Sequence, residues 1–238
     1  MSDQRPFHLK QFSLLHNQST MKVGTDAMLL GSWIDVKGVE QILDIGTGCG
    51  ILSLLLAQRS EALIDAVEID EISAIEASQN FKTSRWSNRL SCFHDNITHF
   101  SDYIGKHYDL IISNPPFFTS SFKTNSVRRN LARHTDTLDF ETLIRIVSQL
   151  LALNGRFAIV LPFAESQLFI KQAENLGFFV VSRMEIIPGI GKECNRVNLV
   201  FSRIKSENIE IEIFTIRNID GTFTDQYYSQ LKDFYLGL

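Results

Sequence analysis

Apolar residues along the chain fall into short runs separated by stretches with helical spacing. Gln41–Ile45, Leu63–Glu68, Leu90–His94 and Tyr108–Ile112 are apolar runs of strand length, too short for a buried helix. Ile51–Gln58 and Glu71–Lys82, lying between them, read as helices. Strand alternating with helix predicts an α/β fold with a parallel sheet. Further on, Asp139 is placed to cap a helix with Phe140, Leu143, Ile144, Val147 and Leu151 on one face, ended by Asn154-Gly155. Arg156–Leu161 reads as a strand, and Glu165–Leu176 as a helix closed by Gly177. Phe178–Ile187 and Val197–Arg203 are close enough in sequence to pair antiparallel. Ile209–Ile216 alternates apolar and acidic residues, as an edge strand does, and Asp225–Leu236 reads as a short amphipathic helix. Near the start, Thr25 or Asp26 could cap a helix through Ala27–Trp33. That helix either covers a sheet edge or brings its start, with Lys22 and Thr25, to a ligand pocket; the local pattern favours the edge.

Length and composition narrow the class. At 238 residues, 44% hydrophobic and 21% charged, the chain has enough apolar material for one elaborated globular domain. The expected division is an N-terminal segment over 1–39, a core over 40–203 and a C-terminal extension over 204–238. No apolar run approaches the ~20 residues of a membrane span, and the first residues have no signal-peptide pattern, so a cytoplasmic protein is expected. Cys49, Cys92 and Cys194 are scattered, which suggests neither a zinc site nor a disulfide frame. His94, His99 and His107 are too loosely spaced for a metal site, so no metal is expected. The net charge of −4 argues against indiscriminate binding to nucleic acid but permits a local basic patch.

Chemistry collects at the ends of the first four strands. After Ile45 comes Gly46-Thr47-Gly48-Cys49-Gly50 and then a helix, the strand–glycine loop–helix order of a nucleotide site. The third glycine falls one residue short of the dinucleotide pattern. Asp44, two residues before Gly46, suits an ammonium group better than a phosphate. Glu68, eighteen residues after Gly50, ends the second strand, where an acid can take two ribose hydroxyls. Asp95-Asn96 follows the third strand and is also ordinary turn chemistry. The fourth strand runs into Ser113-Asn114-Pro115-Pro116-Phe117-Phe118. The prolines end the ladder and leave an amide, free carbonyls and an aromatic ring at the sheet's carboxyl edge. Those acceptors suit an exocyclic NH₂, and the ring offers a stacking face. Beyond it, Lys123, Arg128, Arg129 and Arg133 form a basic run without an acid, suited to RNA phosphates.

Asn114-Pro115-Pro116-Phe117 resembles the Asn-Pro-Pro-Tyr/Phe motif of amino-group methyltransferases, and Asp44-x-Gly46-x-Gly48-x-Gly50 resembles the cofactor loop of class I methyltransferases. With Lys22-Val23-Gly24-Thr25-Asp26-Ala27, the set is similar to the bacterial tRNA(Val) adenine-N6 methyltransferases, over roughly residues 20–203. The resemblance implies a Rossmann-like class I fold: a seven-stranded, mostly parallel sheet with helices on both faces and an antiparallel last strand. It implies S-adenosyl-L-methionine held by Lys22, Thr25, Asp44, Gly46, Gly48, Gly50, Glu68, Asp95 and Asn114, with Asp95 at the adenine NH₂. It also implies a target amine gripped by Asn114 and Pro115, with Pro116 and Phe117 completing the catalytic corner. The partner the resemblance implies is tRNA, modified at the adenine 3′ of the anticodon; no membrane and no obligatory protein partner are expected. Phe117 stands where many adenine-N6 enzymes have Tyr. Guanine-N2 methylation of ribosomal RNA, glutamine-N5 methylation of a protein and a non-catalytic RNA-binding module remain alternatives.

Overall fold

A computed structural model describes residues 5–116 and 138–237. The chain opens with a hairpin, β1 (Phe7–His8) and β2 (Ser13–Leu14), then α1 (Thr25–Trp33). Strands and helices next alternate: β3 (Gln41–Ile45), α2 (Ile51–Arg59), β4 (Leu63–Glu68), α3 (Glu71–Thr83), β5 (Leu90–His94), α4 (Ile97–Tyr103) and β6 (Tyr108–Ser113). After the second described stretch begins come α5 (Phe140–Leu150), β7 (Leu151–Pro162), α6 (Phe163–Asn175), β8 (Phe179–Ile187), β9 (Arg196–Ser202), β10 (Glu210–Thr215) and α7 (Asp225–Leu231).

One sheet takes the strands in the order β10-β8-β9-β7-β6-β3-β4-β5. Every neighbouring pair is parallel except those made by β9, which is antiparallel to β7 and β8. The sheet therefore has eight strands where seven were expected. β3 to β9 are the expected seven with β9 as their antiparallel last member, and β10 adds to the outer side of β8 by pairing Glu210–Thr215 with Ser182–Ile187. Successive strand residues face opposite sides. Thus Ile42 joins an apolar cluster with Met28, Leu54, Ala77 and Leu231, under α1, α2, α3 and α7. Leu43 joins one with Phe100, Val147 and Phe169, under α4, α5 and α6. Two sealed faces explain the continuous apolar runs of the parallel strands.

Three local expectations give way. Gly24 occupies the N-cap of α1 without a side-chain hydrogen bond, and Asp26 instead pairs with Arg196 (Nε to Oδ2, 3.0 Å). That helix rests on α2, on α7 and on β7 in the middle of the sheet, with Ala27 to Ser32 buried, rather than on an edge. The helix after Asp139 stops at Leu150: Leu151 already pairs with Tyr108 on β6, and Gly155 lies inside β7. A Cβ at Gly155 would sit 2.9 Å from the Tyr108 carbonyl, so glycine there allows a close strand approach beside the register shift.

Asp139 does cap α5, accepting from the Thr142 N–H. Gly177 does close α6, with φ +79° and its N–H on the Glu174 carbonyl. The terminal regions meet. Leu9 forms an antiparallel bridge with Tyr235, the Lys10 N–H donates to the Phe234 carbonyl at 2.7 Å, and the Phe7 and Tyr235 rings lie edge to face. α7 is shorter than the expected Asp225–Leu236, since residues after Leu231 turn to make this junction.

Candidate active site

Strand order places β5, β4, β3 and β6 side by side, so the segments following them line one carboxyl edge in sequence. The strand order reverses between β3 and β6, the crevice where ligands enter open α/β sheets. Cross-links hold this edge together. The Gly46 and Thr47 N–H groups donate to the Val67 carbonyl, Ser113 Oγ donates to the Ile45 carbonyl at 2.9 Å, and the Asp95 N–H donates to the Glu68 carbonyl.

Asp44 is fully buried. Its Oδ2 accepts from Thr47 Oγ1 at 2.6 Å and Ser53 Oγ at 2.7 Å, while Oδ1 is buried with no partner among the described residues. Burial pushes its carboxyl up to about 6, against the pull of the two hydroxyls. Gly46 and Gly48 have φ of +71° and +58°, and a Cβ on either would meet no atom within 4 Å. The loop thus faces open space with positive-φ backbone, as close approach of a ligand requires.

Glu68 is buried too. Its Oε2 accepts from the Gly48 N–H at 2.8 Å and its Oε1 from the Asp70 N–H at 2.9 Å. Desolvation raises its pKa, opposed by those amides. Asp95 accepts from His99 Nδ1, Tyr103 Oη and the Asn96 N–H. Desolvation works to raise its pKa, but the bonds from His99, Tyr103 and Asn96 outweigh it and the pKa is lowered. Asn96 caps α4, a helix the turn-like Asp95-Asn96 did not announce.

Asn114 follows β6 directly. The residue is half-buried, and its Oδ1 is buried with no hydrogen-bond partner among the described residues. Pro115 is half-buried and Pro116 exposed. Lys22 and Thr25 are exposed just before and at the start of α1. Phe117, Lys123, Arg128, Arg129 and Arg133 lie outside the described residues. The edge thus brings together Asp44, Gly46, Gly48, Gly50, Glu68, Asp95 and Asn114, with four carboxylates counting Asp70.

Thr47, Ser53 and Ser113 are the supports that sequence reasoning missed. Ser53 carried a signal: a lone hydroxyl within the apolar run Ile51–Ala57 needs a buried partner. Among the described residues no cluster of three His, Cys, Asp or Glu side chains could hold a metal, and no helix is long and apolar enough to cross a membrane.

The residues fit S-adenosylmethionine. Two buried acceptors without partners among the described residues, Asp44 Oδ1 and Asn114 Oδ1, lie at the ends of β3 and β6, and the loop is open at Gly46 and Gly48. The acidic lining matches a cationic ligand.

Residues 16–161 match the methyltransferase small domain family. Among solved structures, a predicted O-methyltransferase from Agrobacterium tumefaciens superposes with a TM-score of 0.67 at 20% identity, over 88% of this chain and 96% of that one. A ribosomal protein L11 methylase from Lactobacillus delbrueckii subsp. bulgaricus superposes with a TM-score of 0.55 at 15% identity, over 84% of this chain and 100% of that one. These two show the fold. The tRNA1(Val) (adenine(37)-N6)-methyltransferase of Trichodesmium erythraeum is 41% identical over 97% of both chains. That of Flavobacterium psychrophilum is 40% identical over 97% of this chain and 99% of its own. With this identity along nearly its whole length, the chain belongs to the tRNA1(Val) (adenine(37)-N6)-methyltransferase family and has the class I methyltransferase fold.

Proposed function

We propose that this chain methylates N6 of adenine 37, beside the anticodon of a valine tRNA. The observation that carries the reading is the buried Asn114 Oδ1, unpartnered among the described residues, at the crevice between β3 and β6. S-adenosylmethionine, when bound, supplies a methyl carbon made electrophilic by its sulfonium. Asp44 faces the cofactor's ammonium group, Gly46 and Gly48 let the backbone approach it, and Glu68 accepts from the ribose hydroxyls; Gly50 instead makes room for the Phe81 ring, 2.5 Å from where its Cβ would lie. Asp95 accepts from the adenine NH₂ of the cofactor, and Lys22 and Thr25 stand at the outer wall.

The exocyclic nitrogen of adenine is a weak nucleophile because its lone pair is delocalised into the ring. Asn114 Oδ1 and the Pro115 carbonyl together accept both amino hydrogens, which aims the lone pair out of that grip. Alignment of this kind is worth about 7–11 kcal/mol. Phe117 stacks on the base once it has left its neighbours in the anticodon loop, where unpaired bases are the easier ones to extract. Lys123, Arg128, Arg129 and Arg133 take RNA phosphates.

The test is incubation with labelled cofactor and a valine tRNA transcript, followed by nucleoside mass spectrometry. N6-methyladenosine at position 37 is expected. N2-methylguanosine, or label that survives ribonuclease in a protein fraction, overturns the reading.

A further inference from the structure

Residues 15–20 form a strap with no regular structure of their own, lying along α3. Their backbone is satisfied by that helix's side chains. The N–H groups of Leu15, Asn17, Gln18, Ser19 and Thr20 donate to Asn80 Oδ1, Glu76 Oε1, Glu76 Oε1, Glu76 Oε2 and Ser73 Oγ. Ser19 Oγ also donates to Glu76 Oε2. Ser73, Glu76 and Asn80 are spaced i, i+3, i+7, so they share one face of α3, and all three are buried. A polar stripe on a buried helix face has to be paired, and here the strap pairs it.

The same stripe reaches the glycine loop. Asn80 Nδ2 donates to the Leu15 carbonyl at 2.7 Å and to the Cys49 carbonyl at 2.8 Å. One amide thus ties the strap to the loop between Gly48 and Gly50. At the same end His16 Nδ1 accepts from the Val23 N–H at 3.2 Å, folding the strap back toward the approach to α1.

We infer that Glu76 and Asn80 are positioning residues for the cofactor. They fix the strap as the outer wall of the glycine-loop pocket, and so set the cofactor's affinity without touching it. The inference rests on the reading that this pocket binds S-adenosylmethionine. Releasing the strap would leave a carboxylate and an amide buried without partners, so the wall is held closed before any ligand arrives.

Calorimetric titration of the full chain with S-adenosylhomocysteine tests it, alongside hydrogen exchange of the strap amides. Glu76→Gln turns one acceptor into a donor facing the Ser19 N–H, and Asn80→Ala cuts the strap from the loop. Each is expected to speed exchange at residues 15–20 and to weaken binding about tenfold, which corresponds to ~1.4 kcal/mol. In turnover, the KM for the cofactor should rise while its kcat and the KM for tRNA hold. Gln79→Ala, on the exposed side of α3, should change none of these. If Glu76→Gln fails to fold, Asn80→Ala and the milder Ser73→Ala carry the test. Folded variants with a loosened strap and undiminished affinity overturn the inference while leaving the function intact. A wild-type chain that binds no S-adenosylhomocysteine overturns both.

Discussion

Asp44 is a buried carboxyl that costs stability once ionised, a cost its proposed contact with the cofactor would explain. Its carboxyl is held up to about 6 from 3.8 by complete burial. Between those pH values the folded state keeps a proton that the unfolded chain releases. This group therefore favours folding below the lower value, and that contribution is lost as pH rises through about 6. Asp44→Asn removes the buried charge and should raise the melting temperature above pH 7, while cofactor affinity falls. In the native chain an ammonium ligand needs the ionised form, so affinity should weaken as pH drops through about 6, and the Asn variant should show no such dependence. Calorimetry across that range reads both effects. Asn114 behaves differently, because its Oδ1, unpartnered among the described residues, is proposed to hold the target base rather than the cofactor. Asn114→Ala should abolish methyl transfer, by well over a hundredfold, and leave S-adenosylhomocysteine binding nearly unchanged.

The elements were largely legible. The strands Gln41–Ile45, Leu63–Glu68 and Leu90–His94 have the boundaries read from their apolar runs. Burial on both faces makes the runs of β3 and β4 continuous, whereas β5, at the sheet edge, has Ser91 and His94 exposed. Elements that depend on partners distant in sequence were not legible. The Phe7–Leu14 hairpin has two residues per strand and no pattern to show it. Leu151–Asn154 read as helix because its apolar spacing continues α5, yet β6 takes it into the sheet. The glycine loop, Glu68 and Asn114 were visible because local backbone rules demand them, whereas Glu76 and Asn80 resembled ordinary helix polar residues. The α1–α2 contact gives a prediction at this scale. A Cβ at Gly31 would lie 2.7 Å from Leu55 Cδ1 and 3.1 Å from Leu55 Cβ, where there is no slack. Gly31→Ala should cost about 1–3 kcal/mol in denaturant unfolding, although alanine is the better helix former.

For the whole molecule, charge and shape divide the labour. The described carboxyl edge is acidic, which suits a cationic cofactor, while the basic run Lys123 to Arg133 follows the Asn114 motif in sequence. RNA affinity should therefore depend on that run far more than on the net charge of −4. Replacing Arg128 and Arg129 with Ala should lower the slope of log affinity against log salt by roughly 0.7 for each single-strand phosphate no longer neutralised. Filter binding at several salt concentrations measures the slope, and cofactor titration of the same variant should be unaltered.

The junction of Leu9 with Tyr235 has a consequence during synthesis. A nascent chain emerging from the ribosome can form β3 to β6 early, because those strands are neighbours in sequence and in space. Its leading segment can dock through residues 15–20 as soon as α3 exists, but Leu9 and Lys10 must wait for Phe234 and Tyr235, translated after every strand of the sheet. Products cut short ahead of that pair would thus keep the sheet and the docked strap but leave the Leu9–Lys10 turn without its last contacts, and proteases would meet them there first.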